Sequence, residues 1–271
     1  MTHDFVCPVC GSAFLRTEKT LRCPQGHSFD IAKQGYVNLL PSGRIAGHEH
    51  GDNKEMIRAR RDFLSSGYYA PLAERLSVLF DKILPDGACI LDCGCGEGYY
   101  SSLIAQKLAA RGIDVLATDI SRDAVSYAAR RGNIHCAVAN SFHLPIKDRS
   151  IQGILSLCAP IAAQEFSRIL SPDGVFLAVI PAERHLWTLK SAVYETPYEN
   201  RPEAALNGYF RIREQEILRF PIAVRRKEHI HALFAMTPYA YHTSVGDRER
   251  LDRLETLEDT AEFAILTCEK A

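Results

Sequence analysis

The sequence has no long apolar run, no excess of charge of either sign and few prolines or glycines. Its densest apolar stretch, residues 175–180, has the length of a strand, whereas a membrane span needs roughly 20 residues. The 32 basic and 33 acidic side chains leave a formal charge of −1, which excludes a uniformly basic nucleic-acid binder. The 13 prolines and 17 glycines are too few for a disordered or collagen-like chain. We therefore expect a soluble globular protein, in which any RNA or DNA surface is a local patch.

The N-terminus also lacks the basic start and apolar core of a signal peptide. The cysteines number nine, and an odd count without such a signal favours the reducing cytoplasm over a secreted, disulfide-bonded protein. Two groups stand out, with Cys7, Cys10 and Cys23 near the N-terminus and Cys89, Cys93 and Cys95 in mid-chain. These observations predict a cytoplasmic protein with no membrane partner, in which the two cysteine groups serve different purposes.

The chain divides into a short N-terminal segment and a longer region with regular periodicity. Residues 42–53 are polar and glycine-rich, so we expect a linker there, between domains at residues 1–41 and 54–271. Helical spacing begins at residue 54, and short apolar strands then alternate with helices. The predicted strands are 88–92, 114–118, 135–139, 154–157, 175–180 and 263–268, and the predicted helices are 54–64, 72–84, 99–111, 122–131, 162–170 and 228–236. The alternation predicts an α/β fold with a parallel sheet covered by helices on both faces.

Four potential metal ligands lie in two close pairs near the N-terminus. Cys7 and Cys10 form one pair, and Cys23 and His27 form the other, in the pattern C-x2-C-x12-C-x3-H. Zinc prefers four such ligands in a tetrahedron, which two tight turns can supply. A segment of about forty residues with so few apolar side chains would depend on the metal to fold. Free core cysteines beside an unrelated histidine would not explain the paired spacing, so we predict one structural zinc ion.

A glycine-rich loop follows the first predicted strand of the longer region. Residues 90–98 read Ile-Leu-Asp-Cys-Gly-Cys-Gly-Glu-Gly, and Asp119 ends the next strand. Ligands of open α/β sheets bind at the carboxyl ends of the strands, where glycines allow close approach and a carboxylate can accept hydrogen bonds from ribose hydroxyls. The G-x-G-x-G spacing and the preceding Asp92 argue against NAD, because the anion would repel a pyrophosphate. They suit a ligand with an ammonium and a sulfonium, although a tight turn without a ligand is the alternative.

The glycine loop resembles the S-adenosylmethionine (SAM) loop of class I methyltransferases. In that setting Cys93 and Cys95 are small packed residues and not a metal pair. Further along the strand ends, Cys158 precedes Ala159-Pro160, whereas a cytosine C5 enzyme commonly has its nucleophilic cysteine after a proline. We therefore expect Cys158 to be a packed core thiol.

A series of motifs resembles one family over residues 1 to about 190. They are Cys7-Pro-Val-Cys, Cys23-Pro-Gln-Gly-His, Lys-Gln-Gly-Tyr-Val-Asn-Leu-Leu-Pro at 33–41, Arg60-Arg61, Tyr69-Ala-Pro-Leu, the loop at 92–100 and Pro181-Ala-Glu-Arg-His-Leu. In this order they resemble the bacterial 23S ribosomal RNA guanine-N1 methyltransferases. The resemblance implies a class I, Rossmann-like, SAM-dependent methyltransferase sheet with a small N-terminal zinc-binding domain. It also implies that the zinc domain helps to recognise an RNA hairpin and that the protein is a homodimer.

The candidate cofactor-binding residues combine the loop with other strand ends. Tyr69 could lie over the cofactor's cation or simply pack in the core. His185 follows the fifth strand, where it could bind the cofactor's carboxylate or the substrate, or be an ordinary surface histidine. Asn140 and Ser141 end the third strand, where this fold usually contacts the adenine. The complete set is Tyr69, Asp92, Gly94, Cys95, Gly96, Asp119, Asn140, Ser141 and His185.

Arginines supply the candidate contacts to RNA phosphates. They are Arg58, Arg60, Arg61 and Arg184, with a further basic cluster at Arg225, Arg226 and Lys227, although such clusters can also be solvated surface. Two other functions remain open from the residues alone. One is a small-molecule methyltransferase with a structural zinc module, and the other is a non-catalytic zinc-ribbon interaction protein. The match at residues 33–41 counts against the first, and the intact glycine loop with Asp119 counts against the second.

Overall fold

The structure, a computed structural model, describes residues 5–41, 54–237 and 244–271. The predicted linker at 42–53 lies outside the described residues. Within the described ranges, no helix is both long and apolar enough to cross a membrane.

Short strands and tight turns make up most of the N-terminal segment. The strands β1 (Leu15–Arg16), β2 (Thr20–Arg22) and β3 (Ser28–Asp30) form an antiparallel sheet in that order. Few of their side chains are buried, so this sheet has little core of its own.

A second sheet of eight strands organises the rest of the chain. Its strands are β4 (Val37–Asn38), β5 (Cys89–Cys93), β6 (Asp114–Asp119), β7 (His135–Val138), β8 (Ile151–Leu157), β9 (Leu170–Pro181), β10 (Phe210–Val224) and β11 (Leu257–Lys270). They lie in the order β10-β11-β9-β8-β5-β6-β7-β4. The run from β9 to β4 is parallel, as predicted, but β11 runs antiparallel to both β9 and β10. The sheet is therefore mixed, because β11 enters between two strands that point the same way.

Eight helices surround the strands in the described part of the chain. They are α1 (Lys54–Ser65), α2 (Ala70–Ile83), α3 (Tyr99–Leu108), α4 (Arg122–Ala128), α5 (Ala163–Ile169), α6 (Trp187–Val193), α7 (Lys227–Ala235) and α8 (Val245–Asp252). Each predicted helix is present, and the ones predicted at 99–111 and 122–131 finish in short 3-10 turns. Periodicity did not predict α6, α8 or β10. The first two are short, and most side chains of β10 are at least partly exposed.

The central strands are buried on both faces. Along β5, Cys89, Leu91 and Cys93 face one hydrophobic cluster, while Ile90 faces the other. The Ile90 side is covered by α2 and α3 together with α1, α6 and α7. The opposite side is covered by α5 and by apolar residues of the N-terminal segment. Helices thus cover both faces as predicted, but the N-terminal segment replaces part of one helical layer.

The N-terminal segment is attached to the large sheet along one edge. Its β4 pairs with β7 in parallel, and Phe5 forms a bridge with Ile146. Cys7 and Cys23 lie in the same cluster as Leu91 of β5. The segment and the sheet therefore share a core, and removing the segment would expose apolar side chains of the sheet.

The start of α3 is a close approach between two helices. Gly98 has φ +80°, and a Cβ there would lie 2.9 Å from the Cα of Ala128 in α4. Gly87 has a similar φ of +72° but no atom within 4 Å of such a Cβ, so it is a matched control. We expect Gly87→Ala to lower the free energy of unfolding by about 1–2 kcal/mol through left-handed strain.

Gly98→Ala should cost about 1–3 kcal/mol more than Gly87→Ala, because α3 and α4 must move apart. Urea unfolding of both variants measures the difference. Equal losses would show that the approach of α4 does not require glycine at this position.

Candidate functional site

The four predicted metal ligands lie together in the N-terminal segment. Cys7 Sγ is 3.5 Å and Cys23 Sγ is 3.3 Å from His27 Nδ1, and the sulfurs of Cys10 and Cys23 are 3.6 Å apart. All four ligand atoms lie within 4.8 Å of one another. Ligands around a tetrahedral zinc ion would be about 3.5–3.8 Å apart, given its usual bond lengths. The cluster therefore fits zinc and leaves no ligand position open for substrate.

Two turns bring these ligands together. Gly11 N–H donates to the carbonyl of Cys7 at 2.8 Å, and Gly26 N–H donates to the carbonyl of Cys23 at 3.0 Å. Both glycines have positive φ, a conformation that other residues adopt at a cost.

The mid-chain cysteines at 93 and 95 do not form a metal cluster with these ligands. Cys93 and Cys95 are buried, and burial raises the pKa of Cys93 to about 12, as expected for packed thiols.

A cavity of about 790 Å³ lies at the carboxyl ends of the central strands. It is lined by residues 94–97 of the glycine loop (residues 93–98) and by residues of α1, β9 and the segment at 198–203. Of the predicted residues it contains Tyr69, Asp92, Gly94, Cys95, Gly96, His185 and Arg60. The predicted site is thus largely one continuous space.

Asp92 is a buried acid that lines this cavity. Ser101 Oγ of α3 donates to its Oδ2 at 2.5 Å. Burial raises the pKa of Asp92 to about 7, although the hydrogen bond from Ser101 lowers it. A cation bound beside this carboxyl would favour its ionised form. The cavity therefore offers a position for an ammonium or a sulfonium.

Asp119 ties the glycine loop to β6. Its Oδ2 accepts a hydrogen bond from the N–H of Gly96 at 2.9 Å, and its Oδ1 accepts one from Ser121 at 2.8 Å. A carboxylate oxygen can accept more than one hydrogen bond, so both remain able to bind ligand hydroxyls. Asp119 does not line the cavity itself but adjoins it through Gly96.

Tyr69 and His185 both line the cavity and contact each other, with Tyr69 Oη 3.5 Å from His185 Nε2. Both are buried, so Tyr69 belongs to the core and lines the cavity at once. His185 Nδ1 lies 2.8 Å from the carbonyl oxygen of Glu262, and burial lowers the pKa of His185 to about 4. His185 is therefore a neutral, buried histidine and not a surface one.

Other predicted residues lie outside the cavity. Asn140 and Ser141 follow β7, where Asn140 Oδ1 accepts the N–H of Phe142 at 3.0 Å. Arg61 donates to Asp62 at 2.9 Å, and Arg184 lies over the ring of Trp187. Arg58 is exposed, and the cations at 225–227 each pair with a glutamate. The structure thus separates the arginines, since only Arg60 among them reaches the cavity.

Cys158 is exposed and lines the cavity, so the prediction of a packed core thiol at this position is wrong. Its φ of +51° at the end of β8 turns the residue out of the sheet. The small residues at the end of β8 favoured burial, but the sequence could not show the backbone turn at Cys158.

Sequence reasoning missed Glu97, which lies inside the glycine loop and lines the cavity. Its Oε2 accepts a hydrogen bond from Arg131 Nε at 2.7 Å, while its buried Oε1 has no hydrogen-bond partner in the described ranges. Burial raises the pKa of Glu97, and Arg131 opposes this. An acid between two motif glycines was the signal that could have singled it out.

Lys190 was also missed, because a lysine in a short helix usually lies in solvent. It is buried, and its Nζ donates to the carbonyl of Tyr198 at 2.6 Å and to Asn200 Oδ1 at 3.0 Å. Asn200 Nδ2 in turn donates to the carbonyl of Ala182 at 2.8 Å. These bonds hold the segment at 198–203 over the carboxyl end of β9, as one wall of the cavity.

The metal cluster makes a direct prediction. Protein prepared with zinc should contain about one zinc ion per chain, and Cys23→Ser should lose most of it because a hydroxyl replaces one of four thiolate or imidazole ligands. Elemental analysis after dialysis measures the content. Cys89→Ala is the matched control, because it removes a buried cysteine outside the cluster. Full zinc content in Cys23→Ser would contradict the ligand set.

Comparison with known proteins agrees with both parts of the chain. Residues 5–44 match the zinc-ribbon family described as "RlmA, N-terminal", and residues 90–174 match the family described as "Methyltransferase domain". A solved structure from Anaeromyxobacter dehalogenans, described provisionally as a type II methyltransferase, covers 72% of this chain and 95% of its own. Its TM-score is 0.51 at 20% identity, which supports the fold alone.

Relatives extend the likeness to nearly the whole sequence. The 23S rRNA (guanine(748)-N(1))-methyltransferase of Streptomyces fradiae is 35% identical over 254 residues, which cover 90% of this chain and 88% of the relative. A Micromonospora griseorubida protein, named provisionally as a 23S rRNA (guanine-N(1)-)-methyltransferase, is 35% identical over 262 residues, covering 88% and 86%. With a zinc ribbon and a SAM-dependent methyltransferase domain in this order, the chain belongs to the family of the 23S rRNA (guanine-N1)-methyltransferases.

Proposed function

We propose that this protein transfers a methyl group from SAM to N1 of a guanine in a hairpin of 23S ribosomal RNA. The observation that carries the proposal is an intact cavity at the glycine loop, in a chain that matches such enzymes over about nine-tenths of its length. A small-molecule methyltransferase would also need the cavity. It would not need the zinc ribbon, which matches the family in residues 5–44.

The residues around the glycine loop fit SAM. The buried Asp92 suits its ammonium and sulfonium, and Asp119 beside Gly96 suits the ribose hydroxyls. A Cβ on Gly96 would point toward Arg60 in the cavity, so glycine leaves this space to a ligand. Asn140 and Ser141, after the next strand, are proposed to contact the adenine. When bound, SAM supplies an electrophilic methyl group on its sulfonium.

The protein's part in the reaction is mainly positioning. N1 of the guanine must lie in line with the methyl group and must lose its proton as the new N1–C bond forms. The wall at 198–203 and the glycine loop both line the cavity, and we place the entering base between them. The hydrogen bonds of Lys190 to Tyr198 and Asn200 would keep this wall in place.

RNA recognition is proposed to use shape and local charge. The chain is nearly neutral, so the zinc ribbon and the arginines outside the cavity, Arg58, Arg61 and Arg184, supply the contacts. The ribbon shares a core with the sheet, and its orientation toward the cavity is therefore fixed. The family resemblance further implies a homodimer and a cytoplasmic location, which we include in the proposal.

The activity can be measured on unmodified 23S rRNA transcript with purified protein and SAM. Nuclease digestion and mass spectrometry should show about one 1-methylguanosine per rRNA. Primer extension should stop at that nucleotide, because a methyl group on N1 blocks Watson–Crick pairing. A protein that binds SAM but leaves both this transcript and ribosomal particles unmethylated would favour the small-molecule alternative.

The cofactor assignment is tested separately with Asp119→Ala. Loss of hydrogen bonds to a charged acceptor costs about 1.5–3 kcal/mol each, so calorimetry should show SAM affinity at least tenfold weaker. Asp123→Ala is the matched control, because Asp123 lies nearby on α4 and pairs only loosely with Lys54 at 4.0 Å. Equal affinity in the two variants would remove Asp119 from the cofactor site.

A further inference from the structure

One face of α1 forms part of the cavity wall. Met56, Arg60 and Leu64 line the cavity, and their spacing of four residues places them on the same side of the helix. Arg58 and Arg61 fall on other sides of α1 and do not line the cavity. The three arginines of this helix therefore face different surroundings.

Arg60 lies directly above the glycine loop. One terminal nitrogen of its guanidinium is 3.7 Å from the position that a Cβ on Gly96 would occupy. The side chain is half-buried, and its charge opposes the rise that burial causes in the pKa of Glu97, another residue of the cavity. Its guanidinium thus lies inside the cavity, beside the glycine loop.

The cavity has a defined arrangement of charge. Asp92 offers a negative group for the ammonium and sulfonium of SAM, but the carboxylate at the same end of SAM needs a cation. Among the cavity-lining residues in the described ranges, the arginines are Arg60 and Arg201. Arg201 is exposed on the wall at 198–203, and His185 is neutral. Arg60 is the cation beside the glycine loop.

We propose that Arg60 binds the carboxylate of the methionine moiety of SAM and is not an RNA phosphate contact. A guanidinium can hold a carboxylate through two parallel hydrogen bonds, which makes Arg60 suited to the task. This inference rests on the proposed binding of SAM at the glycine loop. The competing structural role for Arg60 is to pair with the open Oε1 of Glu97 and so support the loop.

The test compares two ligands that differ only in this carboxylate. Calorimetry without RNA measures the affinities of SAM and of its decarboxylated form for the unchanged protein, Arg60→Gln and Arg58→Gln. Arg60→Gln should weaken SAM binding at least tenfold, because charge-assisted hydrogen bonds are lost. It should change binding of the decarboxylated ligand less than twofold. Arg58→Gln, on the same helix but exposed, should leave both affinities unchanged.

Each other result overturns the inference. Equal weakening of both ligands by Arg60→Gln would show that Arg60 supports the loop through Glu97. Unchanged SAM affinity together with weaker RNA binding would make Arg60 a phosphate contact. If Arg60→Gln does not fold, Arg60→Lys keeps one cation and should discriminate between the two ligands less than the unchanged protein does; undiminished discrimination would count against the proposal. Failure of the unchanged protein to bind SAM would overturn the proposed cofactor site as well, and this is visible before any variant is measured.

Discussion

The sharp turn from β5 into α3 is held by hydrogen bonds to the neighbouring strand. The N–H groups of Gly94 and Cys95 donate to the carbonyl of Thr118 at the end of β6, and the N–H of Gly96 donates to Asp119. This network fixes the glycine loop against β6 through hydrogen bonds within the protein. The position of α3, the burial of Asp92 and the floor of the cavity all depend on it. The site is consequently preorganised, which reduces the ordering cost of binding.

Local patterns were sufficient to predict these central elements. Apolar strands that end in glycines, and four ligands in two pairs, are signals carried by a few adjacent residues, and the metal cluster and the glycine-loop turn were found as expected. The direction of β11 was not predictable, because an apolar run shows burial but not the strand beside which it inserts. β10 was missed because most of its side chains are not buried. Lys190 and the outward turn of Cys158 depend on tertiary contacts and backbone conformation that no local pattern records.

The two faces of the large sheet are covered by different parts of the chain. Helices α1 to α3 cover one face of the sheet, and α1 also lines the cavity, while α5 and the zinc ribbon cover the other face. The ribbon is therefore both a candidate RNA-binding element and part of the wall behind the strands. A substitution in its apolar residues would change the stability of the sheet together with RNA recognition. Substitution of charged surface residues of the ribbon would separate RNA recognition from the stability of the sheet better than removal of the ribbon would.

The pairing of β4 with β7 has a consequence for association between chains. An edge strand with free N–H and C=O groups is a template for pairing with other molecules. Here β4, at the end of the zinc-dependent segment, occupies the edge of β7, while β10 at the opposite edge carries charged side chains. Loss of the metal would loosen the segment and uncover β7. Zinc depletion would thus expose a parallel strand edge to self-association, so that the ion protects solubility as well as local structure.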